Sequence, residues 1–88
     1  MTYRVELLPR AEKQLRGLPS PVQVRITLAV RELADNPRPP GCGKLAGTDD
    51  LWRIRVGDYR VIYQIQNAVL LVLVVRIGHR RDIYKGEL

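Results

Sequence analysis

The sequence predicts an α+β domain, and three observations carry that prediction. Residues 2–8 alternate apolar and polar side chains, and alternation returns from residue 51 onward; both patterns have the period of a half-buried strand. Between them, residues 9–33 place apolar side chains at helical spacing in two runs separated by Gly17 and Pro19. The resulting order is strand, helix, helix, then three or four strands. Such an order packs a two-helix hairpin on one face of a mostly antiparallel sheet.

In the first strand Tyr3, Val5 and Leu7 share one side, and Arg4 and Glu6 the other. Pro9 suits the first position of a helix. There Ala11, Leu15 and Leu18 face inward, Glu12, Lys13 and Arg16 face out, and Gly17 and Pro19 end the run. Ser20 is expected to cap a second helix with Pro21 just inside it. Val22, Ile26, Ala29, Val30 and Leu33 form its apolar stripe, and Asn36-Pro37 stops it. Residues 37–43, rich in Pro and Gly, read as a loop. Lys44 and Leu45 begin a short strand, and residues 47–50 read as a turn. Residues 51–56 and 59–66 form a hairpin about Gly57-Asp58. Asn67 turns the chain into a strand over residues 68–77, apolar on both faces and so expected to lie inside the sheet. Gly78 is expected to end it. His79, Arg80, Arg81 and Asp82 follow as a polar segment, and Ile83 and Tyr84 as a short strand or tail.

The 88 residues make one domain, residues 1–88, with an ordinary globular balance of 45% hydrophobic and 27% charged residues. A chain this short has a thin stability margin. One cysteine, Cys42, permits no internal disulfide and suits a reducing cytoplasm. Arg4, Glu6 and Arg10 interrupt any signal-like apolar run, and the longest apolar run, residues 68–75, is too short to span a bilayer, so no membrane association is expected. The formal charge is +6, and twelve of the fifteen basic residues are arginine. Arginine's planar fork suits bidentate phosphate contacts, which points to nucleic acid or another anionic partner.

One His and one Cys give no metal-ligand cluster, and no phosphate loop or dinucleotide fingerprint is present, so no metal or cofactor is expected. What remains is a basic set: Arg53, Arg55, Arg60, Arg76, His79, Arg80 and Arg81, with Tyr84. RNA cleavage requires a base for the 2′-hydroxyl, charge stabilisation at the phosphorus, and an acid for the leaving 5′-oxygen. Arginines supply the second but hardly deprotonate. His79 and Tyr84 are the proton carriers nearest the basic set, since His titrates near neutrality and surrounding cations favour phenolate. Each residue also has a plain structural reading. Trp52, Ile54, Val61 and Ile65 suit a core, Tyr59 and Tyr63 suit packing, and Arg53 and Arg55 suit a solvated sheet face.

The segments Asn36-Pro37, Lys44-Leu45-Ala46-Gly47, Leu-Trp-Arg-Ile-Arg-Val-Gly-Asp-Tyr-Arg-Val-Ile-Tyr and Ile-Gly-His-Arg-Arg-Asp-Ile-Tyr together resemble the RelE family, within the RelE/ParE superfamily of toxin–antitoxin systems. The resemblance implies the RelE-like fold and a metal-independent endoribonuclease that cuts mRNA in the ribosomal A site by 2′-hydroxyl attack, in the cytoplasm. It assigns phosphate binding and transition-state stabilisation to Arg53, Arg55, Arg60 and Arg80, with Arg81 an alternative match for Arg80. Tyr84 becomes the general base, and His79 an acid or orienting group. Lys44 joins the RNA-binding cations. The two strand positions held here by Arg53 and Arg55 are lysines in well-known members, which removes a possible base. The implied partners are mRNA, the ribosome and a RelB-like antitoxin, acidic and partly disordered when free, with promoter DNA contacted only through the antitoxin complex.

Two other functions use the same residues. A ParE-like inhibitor of DNA gyrase would share the fold and the Tyr-Arg-Val-Ile-Tyr strand without nuclease activity. A non-toxic RNA-binding member of the superfamily would keep the basic face. Tyr84 beside the arginine set favours cleavage.

Overall fold

The computed structural model describes residues 2–45, 47 and 50–82. The chain runs β1 (Arg4–Leu7), α1 (Pro9–Arg16), α2 (Ser20–Glu32), β2 (Gly43–Lys44), β3 (Leu51–Val56), β4 (Tyr59–Gln66), a 3-10 turn (Asn67–Val69) and β5 (Leu71–His79). The architecture is α+β, as the sequence predicts. The sheet order is β1-β5-β4-β3-β2. Three pairings are antiparallel, but β1 lies parallel to β5, so the sheet is mixed. The helical hairpin carries the chain away from β1 over one face, and the strand that returns beside β1 can then run parallel to it.

Both helices pack on one face. Ala11 from α1, and Ile26, Val30 and Leu33 from α2 and its end, meet Ile54, Val61, Tyr63, Ile65, Val72, Val74 and Ile77 of the sheet. Burying each of the Ile, Leu and Val side chains among them contributes about 1.5–3 kcal/mol. The hairpin is fixed by a cross-helix cap: the Gln23 amide donates to the Leu18 carbonyl at 2.7 Å and to that of Arg16 at 3.2 Å, satisfying the open end of α1. Tyr63 pins the 37–43 loop, its buried hydroxyl donating to the Pro37 carbonyl at 2.6 Å.

Several local expectations are corrected. Ser20 does not cap α2. Pro19 holds the cap position with extended backbone, and its carbonyl accepts from the Val22 and Gln23 amides at 3.0 Å. Having no N–H and a fixed φ, Pro19 is already shaped for that role. The α-helix ends at Glu32, and turns carry the chain to Asn36. Residues 67–69 are a 3-10 turn that ends at Leu70 in a left-handed conformation, φ 52°. Gly78 does not end the last strand. The β4–β5 ladder continues to Tyr59↔His79, and the Arg80 amide then bonds the Asp58 carbonyl at 2.8 Å. Of the 47–50 turn, only Gly47 and Asp50 fall within the described residues, and Ile83 and Tyr84 lie outside them.

Candidate nucleic-acid interface

The β3–β4 hairpin turns through Gly57-Asp58. Gly57 has φ +61° and Asp58 a negative φ, the pattern of a type II′ turn that matches strand twist. The turn sets a register in which Arg55 stands opposite Arg60, Arg53 opposite Ile62, and Ile54 opposite Val61. Opposite residues share a face. Ile54 and Val61 belong to the helix-covered core, so Arg53, Arg55, Arg60 and Ile62 occupy the other face.

A bulge decides what joins them from β5. Ile62 pairs with Arg76, but Tyr63 pairs with Val74, which leaves Val75 unpaired. The extra residue reverses the alternation. Val72 and Val74 are core, and beyond the bulge Ile77 is core again. Arg76 is thereby placed on the arginine face and His79 on the helix side. Two rows of cations result: Arg55 and Arg60 opposite Gly78, then Arg53 and Arg76 flanking Ile62. Arg80 continues the 76–78–80 alternation at the end of the sheet, its guanidinium 4.0 Å from the Asp58 carboxylate.

Arg53 and Arg55 carry no ion pair or side-chain hydrogen bond among the described residues, and Arg60 reaches only the Tyr59 carbonyl at 3.3 Å. Like charges placed directly opposite repel, so the Arg55–Arg60 pair is a site that an anion would relieve. Beside it a cleft of about 390 Å³ follows the outer edge of β3, lined by Arg53, Arg55, Glu32, Cys42 and Gly43. Gly43 has a specific use. A Cβ there would lie 2.8 Å from Arg53 Nη1 and 3.2 Å from its Cζ, so the guanidinium rests on the glycine backbone.

Two sequence candidates lie elsewhere. His79 lies on the helix side: it pairs with Tyr59, whose ring meets its imidazole edge-on at 5.5 Å, and its Nδ1 accepts from the Arg81 amide at 3.1 Å. A neutral His79 therefore carries its proton on Nε2. Lys44 pairs with Trp52, on the side opposite Arg53 and Arg55, where the Arg38 guanidinium lies 5.0 Å from the Trp52 ring. Arg81 is exposed in the turn after β5, and Tyr84 lies outside the described residues. Tyr63 is no proton carrier, because burial first, then the neighbouring Cys42, pushes its phenol well above the ordinary 10.0. Sequence reasoning missed Gly43 and Arg38. The first is legible only through the β2–β3 register, and the second only through the loop that Tyr63 anchors.

A family model described as "ParE toxin of type II toxin-antitoxin system, parDE" matches residues 5–84. The chain belongs to the RelE/ParE superfamily of toxins. Toxin RelG of Mycobacterium tuberculosis is 38% identical over 97% of this toxin and 99% of its own length. The mRNA interferase toxin RelE of Escherichia coli is 30% identical over 91% of this toxin and 85% of its own length. Among solved structures, a chain of the archaeal RelE–RelB complex from Pyrococcus horikoshii is 33% identical, with a TM-score of 0.81, covering 93% of this toxin and 99% of that chain. This is therefore a RelE-like toxin of a toxin–antitoxin system. Among its described residues no group of three His, Cys, Asp or Glu side chains could hold a metal ion, and no helix is long and apolar enough to cross a membrane.

Proposed function

We propose that this toxin is a metal-independent endoribonuclease that cuts mRNA in the ribosomal A site of the cytoplasm and so arrests translation. The observation that carries the reading is the Arg55–Arg60 pair, registered opposite each other on the sheet face away from the helices and without a carboxylate partner among the described residues. A phosphodiester entering between them meets donors from both sides, and the charge that builds on its non-bridging oxygens during attack strengthens those bonds. The 2′-oxygen attacks phosphorus, the bond to the 5′-oxygen breaks, and a cyclic phosphate and a free 5′-hydroxyl result. One proton leaves the 2′-hydroxyl and one joins the 5′-oxygen. Arg53, Arg55, Arg60 and Arg80 hold and stabilise the phosphate, and Tyr84 takes the first proton. The relatives named as mRNA interferases support this activity.

The partner that silences the toxin is an acidic antitoxin that folds on binding, as the solved RelE–RelB complexes of relatives suggest. Promoter DNA is met only through that complex. The family model's description favours a second reading, a ParE-like gyrase inhibitor. Tightly controlled expression separates the two. Cuts inside translated codons support the nuclease, and stalled gyrase with intact mRNA supports the inhibitor. Tyr84→Phe tests the assignment of the base: cleavage should vanish while RNA binding survives, and normal cleavage would remove Tyr84 from the mechanism.

A further inference from the structure

We infer that the groove along the outer edge of β5 is a second phosphate subsite, built from Arg76 and Lys13, which takes the phosphate next to the one held by Arg55 and Arg60. The inference rests on the proposed RNA reading and deepens it. β1 pairs with β5 only as far as Leu7↔Val74, so among the described residues no strand lies beside the outer edge of β5 from Val75 onward. There a groove of about 340 Å³ opens, lined by Lys13, Gln14, Arg76, Gly78, His79 and Asp82. Its lining carries two cations, Lys13 and Arg76, and one carboxylate, Asp82.

The groove adjoins the arginine face at Gly78, which stands opposite Arg60 and also lines the groove. Arg76 borders both. It sits two residues along and one strand across from Arg60, about 8 Å away at usual sheet spacings. A cationic groove at such a spacing tracks a single-stranded backbone from one phosphate to the next. Arg76 is 9% exposed, flanks Ile62, itself 0% exposed, and lines the groove. Gln14 is also fixed: its Oε1 accepts from the Ile77 amide at 2.8 Å, leaving its NH2 to donate. That bond satisfies an edge donor that β1 does not reach and keeps the groove polar.

The test is the salt dependence of binding to a fluorescent octaribonucleotide whose 2′-hydroxyls are methylated, so that it binds without being cut. Each phosphate contact contributes about 0.7 to the slope of log K against log salt for single strands. Lys13→Gln and Arg76→Met should each lower the slope by about 0.7, whereas Arg10→Gln, on the same helix but outside the groove, should leave it unchanged. Lys13 is exposed, so its variant folds and decides the question even if Arg76→Met does not. A slope equal to wild type in Lys13→Gln overturns the subsite. Cleavage is not read, so a chain that binds through Lys13 and Arg76 but cuts nothing would overturn the proposed activity and leave the subsite standing.

Discussion

Removing one member of the Arg55–Arg60 pair should make the toxin more stable and less active. The two residues are registered directly opposite, and neither is paired with a carboxylate among the described residues. With the guanidinium centres about 6–8 Å apart and water between them, their repulsion is about 0.5–0.7 kcal/mol. Arg55→Gln keeps the bulk and hydrogen-bonding reach of the side chain and removes that term. A gain of about 0.5 kcal/mol raises Tm by about 2–4 °C in a domain of this size. The assay is thermal unfolding followed by circular dichroism at about 10 mM and about 1 M salt, because the Debye length falls from about 30 Å to about 3 Å over that range. The gain should appear at low salt and vanish at high salt. Cleavage should fall about 100-fold, the scale of losing one donor to a developing oxyanion. Arg31→Gln, whose residue lies on α2 away from the pair, should leave Tm within about 1 °C under both conditions, as surface changes usually do. A Tm for Arg55→Gln that is unchanged or lower at 10 mM salt would refute the opposed-charge reasoning.

Other outcomes follow from the same geometry. Gly43→Ala should push the Arg53 guanidinium off its resting place, lowering RNA affinity severalfold while stability changes by less than about 0.5 kcal/mol, because only the flexible end of Arg53 must move; binding and unfolding measured on one preparation check both. Tyr63→Phe should cost about 1–3 kcal/mol, since it leaves the Pro37 carbonyl unsatisfied in a buried place, with cleavage per folded molecule unchanged. The raised Tyr63 phenol also sets an alkaline limit. Below pH 10.0 the group is protonated whether folded or unfolded and has no effect; above it the unfolded chain loses the proton first. Stability should therefore fall by up to about 1.4 kcal/mol per pH unit above that point. Tyr63→Phe should flatten this part of the denaturation profile.

The hairpin was legible because alternation, β-branched residues and a Gly-Asp turn agree, and β3 and β4 have the boundaries that pattern predicts. The contents of the face away from the helices were only half legible. Straight counting along the valine-rich last strand from Val72 and Val74 puts Arg76 in the core and His79 beside the arginines. The unpaired Val75 reverses both, and nothing in Leu-Val-Leu-Val-Val marks which valine is extra. The parallel pairing of β1 was hidden for a related reason: its partner lies more than sixty residues away, and local pattern carries no sign of strand direction. Ser20 failed as a cap because Pro19 before it has the same preference for the extended cap conformation. Gly43 looked like loop composition until the register set it beneath Arg53.

The central claim is that the face carrying Arg55 and Arg60 grips mRNA for cutting. It is tested most directly by mapping 5′ ends on a defined mRNA in a reconstituted translation reaction, with ribosomes halted at a known codon. New 5′-hydroxyl ends should appear inside the A-site codon with the wild-type toxin, reduced about 100-fold by Arg55→Gln. Intact mRNA with wild type, or equal cutting by Arg55→Gln, would contradict it.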